Sequence, residues 1–232
     1  MKHFEPQILY EDNHLIAINK PAGMLVQGDK TGDVPLSELM KQYIKVKYNK
    51  AGNVFLGVTH RIDRPVSGVL LFARTSKALS RLNEMFRQKK VQKTYWAVVA
   101  QRPSLEDGSL EHYLIKDQAK NKSKAYKTAR KNTKHAVLNY RLLQASQKYY
   151  LLEVLPKTGR HHQIRVQLAA MQCPIKGDIK YGFNRTNKDA SIHLHARKIS
   201  FTHPVKKTPI TITANVPQHD VLWKVFEQQA TK

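Results

Sequence analysis

Asp63 is the residue with the strongest claim to chemistry. It lies in the stretch His60-Arg61-Ile62-Asp63-Arg64-Pro65-Val66-Ser67-Gly68, a carboxylate between two guanidinium groups. The apolar run Val69 to Ala73 that follows reads as a buried strand, and Pro65 and Gly68 punctuate the approach to it. The acid is therefore expected on a tight turn at the mouth of a core strand. Arg61 and Arg64 favour its ionised form by Coulomb attraction. Two readings fit this arrangement: a structural ion pair, and a nucleophile in an anion-binding cleft. No second acid stands nearby. Asp29 and Glu84 fall in a loop and a helix, which leaves a two-carboxylate glycosidase poorly supported. The 17 acids of the chain are scattered, without the cluster that a two-metal nuclease needs.

A second stretch, Gly159-Arg160-His161-His162-Gln163-Ile164-Arg165-Val166, holds two arginines five residues apart. On a helix they are not stacked neighbours. Arg160 could meet a phosphate while Arg165 turns inward to an acid, although two solvent arginines would show the same spacing. His161 and His162 would point to different faces of a helix, and His193 and His195 could share one face of a strand. Cys173 is the single cysteine, and there is no Cys-x-x-Cys and no His-Glu-x-x-His. Hydrogen bonding or phosphate contact accounts for these histidines better than zinc, so no metal is expected. No Walker A loop and no Gly-x-Gly-x-x-Gly is present, so no nucleotide cofactor is indicated. Ser67 sits near Asp63, but nothing marks a Ser-His-Asp triad.

Bulk charge points to the partner. Forty Lys and Arg against 17 Asp and Glu give a net charge of +23, far beyond what solubility requires, and nucleic acid is the polyanion that best fits it. Residues 116–134 carry eight basic residues and one acid, Asp117. They read as a solvated loop or as a clamp on a phosphate backbone, with Lys122 and Lys124 as cations and Tyr126 available to stack. A membrane surface is disfavoured, because there is no long basic amphipathic helix and no apolar stretch of spanning length. The opening MKHFEPQILY is no signal peptide, and an unpaired cysteine suits a reducing compartment, so the expected location is the cytoplasm.

The elements that must position these residues follow from the periodicity. Residues 8–20 read as two short strands around a turn at Glu11-Asp12-Asn13. Leu36, Leu39, Met40, Tyr43 and Ile44 fall on one helical face, with Asp33 as the candidate cap. After the Asp63 stretch comes the clearest helix, capped by Thr75 or Ser76 and buried along Ala78, Leu79, Leu82, Met85 and Phe86. Residues 93–100 read as a strand and 101–113 as a loop. Strands follow at 136–143 and 149–155, then a helix through Ile164 and Leu168 that stops by Pro174. Residues 193–201 and 208–214 read as strands, and Val221, Leu222, Val225 and Phe226 as a closing helix. At 41% apolar residues, without repeats or a low-complexity linker, this predicts one α+β domain over 1–232: a mixed, mostly antiparallel sheet flanked by a few helices and loops.

The motifs also carry a family resemblance. His60 to Gly68 closely resembles the signature of the RluA-type pseudouridine synthases. Further blocks are similar in the same order: Asp12-Asn13-His14-Leu15-Ile16-Ala17-Ile18-Asn19-Lys20-Pro21-Ala22-Gly23, Lys93-Thr94-Tyr95-Trp96-Ala97, Thr158 to Val166, Pro174-Ile175-Lys176-Gly177-Asp178 and His193-Leu194-His195-Ala196. The resemblance implies an isomerase that converts uridine in structured RNA, ribosomal or transfer, to pseudouridine. It implies the pseudouridine synthase catalytic fold, no cofactor and no metal; a monomer is expected. Asp63 would be the catalytic aspartate, Tyr95 would pack on the flipped uracil, and Arg165 would pair with the aspartate. Arg61 would fill the gap that the extruded uridine leaves, since a base must leave its stack before it can react. Arg64, Arg160, Lys122, Lys124 and Tyr126 are the remaining expected RNA contacts. Gln167 and Val66 depart from residues frequent in the family, His and Thr. The small basic RNA-binding domain that many relatives carry at the N-terminus is not expected here. A non-catalytic RNA-binding protein that keeps the fold, or a glycosidase that cuts the same bond, are the competing readings.

Overall fold

The computed structural model describes residues 4–29 and 31–230. In chain order the elements are β1 (Ile8–Glu11), β2 (Leu15–Lys20), α1 (Leu36–Lys47), β3 (Gly57–Val58), β4 (Ser67–Ala73), α2 (Ser76–Arg87), β5 (Gln92–Val99), β6 (Asp107–Asp117), β7 (Lys122–Tyr126), β8 (Lys134–Ala145), β9 (Tyr150–Pro156), α3 (Gln163–Ala170), a 3₁₀ turn at Ile179–Tyr181, β10 (Leu194–Thr202), β11 (Pro209–Thr213) and α4 (Val221–Ala230). This is the α+β class expected from the sequence. The chain forms two compact units. One runs to Gln92 and takes in Ala196–Asn215; the other comprises Lys93–His195 and the segment from Val216. Among the described residues, no helix is long and apolar enough to cross a membrane.

In the first unit β4 is the central strand. It pairs antiparallel with β2, from Leu15 opposite Ala73 to Lys20 opposite Gly68, and lies beside β10. All seven of its residues are buried, which is why its sequence is apolar without alternation. Leu15, Ala17, Val69, Leu71 and Ala73 pack with Ala78 and Leu82 of α2 and with Ile199, Phe201 and Ile212. Gly68 is required where β4 begins. Its φ is +115°, and a Cβ there would stand 2.3 Å from the Ala196 carbonyl oxygen. The Thr75 hydroxyl accepts from the Ala78 N–H and caps α2, as expected. Asp33, by contrast, does not cap α1. Pro35 holds the N-cap position, and the first free N–H groups are satisfied by Leu25 and Val26 carbonyls instead. The Asp33 carboxylate is taken by Arg64, 2.8 Å away.

The second unit is an antiparallel sheet in the order β5-β9-β8-β6-β7. Trp223 and Phe226 of α4 close over Trp96, Val98 and Leu151, while Val166 of α3 packs with Leu114, Ala136 and Tyr181. Two expectations are corrected here. Residues 101–113 are not all loop, because β6 begins at Asp107 and pairs along its length with β8. Residues 116–134 are not one loop either: β6 turns at Asp117 into β7, with Tyr113 opposite Tyr126. Cross-strand pairing outweighs the weak strand preference of these polar sequences.

Candidate active site

Asp63 lies on the turn that enters β4, half-buried, between exposed Arg61 and Arg64. The turn is held at several points. The Val66 N–H donates to the Asp63 carbonyl at 3.0 Å, the Gly23 N–H to the Arg64 carbonyl at 2.7 Å, and Arg64 Nε back to the Gly23 carbonyl at 2.9 Å. Upstream, the His60 Nε2 accepts from the Leu71 N–H at 3.1 Å, and the Thr59 hydroxyl donates to the Leu71 carbonyl at 2.6 Å. Both bonds clamp the approach to the turn against β4. Arg61 reaches out and donates to the Gln27 carboxamide at 3.2 Å.

Beneath this turn sits a residue that the sequence reading passed over. Lys20, at the end of β2, is 0% exposed. Its ammonium donates to the carbonyls of Pro21, Arg64 and Val66 at 2.9, 3.2 and 2.8 Å. Burial pushes its pKa down to about 7, while the negative charge of Asp63 acts in the opposite direction and Arg64 adds to the depression. The Arg64 and Val66 carbonyls flank the Asp63 turn, so one buried cation fixes the backbone on which the acid is displayed. Its only sequence signal is a charged residue ending an apolar strand.

In the second unit, Tyr95 is half-buried on β5 opposite Val154. Arg165 is buried in the first turn of α3, as the inward alternative required. Its Nε and Nη2 donate to the two carboxylate oxygens of Asp178 at 2.7 and 2.8 Å. Its guanidinium also lies 5.1 Å from the Tyr181 ring centre. Asp178, 1% exposed, and Tyr181 are thus positioning residues absent from the sequence-derived set. Asp178 stands in the Lys176-Gly177-Asp178 block, but nothing local to it names Arg165 as its partner.

Tyr181 joins this arginine to the basic hairpin. Its hydroxyl accepts from the Ser123 N–H at 2.7 Å and lies 2.9 Å from His162 Nδ1. Burial first, then the charge of Arg165, pushes His162 down to about 2, so the imidazole is neutral beside the tyrosine hydroxyl. His161 stacks on His162 with ring centres 3.8 Å apart, and His193 and His195 both face Trp223. Among the described residues no group of three or more His, Cys, Asp or Glu could hold a metal. On β7, Lys122 is half-buried with its ammonium 5.3 Å from the Tyr181 ring centre, and Lys124 is exposed. Arg130 covers a face of Tyr126 at 4.0 Å. Arg160 is exposed, with Nε donating to the His135 carbonyl at 3.0 Å.

The comparisons agree with the motifs. The family model of RNA pseudouridylate synthases matches residues 14–170. A tRNA pseudouridine synthase C of Vibrio cholerae is 34% identical over 236 residues, covering 94% of this chain and 93% of that protein. The Haemophilus ducreyi protein of the same name is 36% identical over 248 residues, covering 97% and 96%. Among solved structures, human RNA Pseudouridylate Synthase Domain Containing 4 superposes with a TM-score of 0.78 at 25% identity, covering 97% of this chain and 93% of that one. Human RNA Pseudouridylate Synthase Domain Containing 1, at 17% identity and a TM-score of 0.73, shares the fold. With a family match over most of its length and relatives more than 30% identical from end to end, this chain belongs to the RluA-type RNA pseudouridylate synthases.

Proposed function

We propose that this isomerase acts on a uridine of transfer RNA, with Asp63 as the residue that starts the reaction. The conversion of uridine in RNA to pseudouridine follows from family membership. The transfer-RNA substrate rests on relatives that carry that activity in their names and match more than nine-tenths of the chain. The net charge of +23 accords with such a polyanion, and a cytoplasmic location accords with the substrate.

The reaction breaks the bond between ribose C1′ and uracil N1 and forms one between C1′ and C5. The proton on C5 is lost and N1 gains one, so the balance needs no oxidant and no cofactor. Asp63 serves as an ionised carboxylate, either by adding to the sugar or base or by removing a proton. Tyr95 packs on the flipped uracil, and Arg165 keeps the carboxylate charged and oriented. Arg61 enters the vacated stack, and Arg64, Arg160, Lys122, Lys124 and Tyr126 meet the RNA strand.

The observation that carries this reading is the Asp63 turn itself. A buried ammonium donating to three carbonyls is an expensive way to shape a surface turn. It is intelligible if the acid displayed there must hold a fixed direction. The test is tritium release from transfer RNA transcripts labelled at uridine C5, with pseudouridine sought in the digest. Wild type should release tritium and Asp63→Asn should not. Release by Asp63→Asn would remove Asp63 from the mechanism. Release from ribosomal RNA fragments alone would remove transfer RNA as the substrate.

A further inference from the structure

Lys93 is a half-buried cation without an anion among the described residues. It is the second residue of β5 and stands two residues before Tyr95, so the two side chains leave the same face of the strand, roughly 7 Å apart along it. Its ammonium makes no hydrogen bond and no ion pair with any described residue. Burial pushes its pKa below the ordinary lysine range, with no opposing charge to restore it. It stands 3.7 Å from the place that a Cβ would occupy at Gly159.

The turn at Gly159 is built to stay in place. The Gln163 carboxamide oxygen accepts from the Arg160 N–H at 2.9 Å and from the Thr158 hydroxyl at 2.8 Å, while its nitrogen donates to the Val137 carbonyl at 3.0 Å. The Gly159 N–H has no acceptor among the described residues. Arg160 uses only Nε on the His135 carbonyl. The Lys93 ammonium therefore lies beside Gly159, whose N–H is unused, and Arg160, next in the chain, keeps the nitrogens other than Nε uncommitted. A glycine at that point keeps the approach free of a side chain.

We propose that Lys93, the Gly159 N–H and Arg160 form a binding site for an RNA phosphate, adjoining the nucleotide that Tyr95 packs against. This rests on the proposed RNA isomerase function and adds the backbone contact that sets the register of the strand. A half-buried ammonium without an anion is partly desolvated at a cost in the free protein. A phosphate removes that cost on binding, so this contact favours RNA more than an exposed lysine does.

The test uses the full-length protein, unmodified transfer RNA transcripts and the variants Lys93→Met and Lys93→Arg. Lys93→Met should raise KM and the RNA dissociation constant about tenfold and lower the slope of log K against log salt by about one. Lys93→Arg should recover most of both. Lys93→Met should also melt at or slightly above the wild-type temperature, because it removes an uncompensated charge rather than a structural bond. Unchanged affinity and salt slope in Lys93→Met would overturn the site, and so would a melting temperature well below wild type. If the wild type itself forms no pseudouridine while Lys93→Met still weakens RNA binding, the functional reading fails and the phosphate site stands.

Discussion

The pair formed by Arg165 and Asp178 separates structure from catalysis in one experiment. Both side chains are almost fully buried, and the bond between them is bidentate. Replacing only Asp178 by Ala takes the bidentate carboxylate from a guanidinium buried in the second unit. Breaking such a pair from one side costs about 3–5 kcal/mol. At about 2–4 °C per kcal/mol for a protein of this size, the melting temperature should fall by roughly 6–20 °C. Replacing both partners by apolar residues of similar volume removes the two charges together and is often neutral or stabilising. Arg165→Met with Asp178→Leu should therefore recover most of the stability lost in Asp178→Ala. Tritium release should not recover with it, because the proposed role of Arg165 is chemical as well as structural. Thermal melts and the release assay on the three proteins decide the matter. A double variant that is both stable and active would show that the arginine serves only the fold. A double variant as unstable as Asp178→Ala would refute the accounting of the buried charge.

Two further outcomes follow from the first unit and the hairpin. The folded state holds Lys20 near 7, whereas the unfolded chain titrates near 10.5. Between those values the unfolded state binds the extra proton, so this group makes stability rise with pH, by up to about 1.4 kcal/mol per unit. Its cost is full below pH 7 and gone above 10.5. Urea unfolding at pH 6.5 and 9.5 should show a larger gain for wild type than for Lys20→Met, and equal gains would contradict the assignment. In the hairpin, Lys122→Glu with Lys124→Glu should weaken transfer-RNA binding and flatten its salt dependence. A binding isotherm and salt slope like those of wild type would place the RNA elsewhere.

Much of this arrangement was legible in the sequence, for identifiable reasons. β4 reads as a strand because both of its faces are covered, which leaves an unbroken apolar run. α2 shows its cap and its stripe together. Asp63 stands out because an acid between two arginines just before an apolar strand is conspicuous in the sequence itself. What was illegible depends on partners distant along the chain. β6 and β7 are polar and alternate poorly, and they are strands because β8 supplies a ladder for β6 and β6 in turn supplies one for β7. Asp33 has the composition of a cap, but Arg64 competes for its carboxylate. Asp178 is thirteen residues from Arg165, and no spacing rule links the two across the intervening turn.

Lys20, Lys93 and Arg165 also change the meaning of the net charge. All three count towards +23, yet Lys20 and Arg165 are buried and Lys93 is half-buried. A cation away from water is tolerated according to what replaces its hydration. Arg165 has a carboxylate, which neutralises it and fixes its direction. Lys20 has three carbonyl oxygens, which satisfy its donors without cancelling its charge, so the turn above it still feels a positive field. Lys93 has no such compensation among the described residues, and a substrate phosphate is what we assign to it. The order of decreasing compensation is thus an order of increasing dependence on RNA. Substitution of Arg165 should be felt first in folding, of Lys20 in the geometry of the Asp63 turn, and of Lys93 in binding alone.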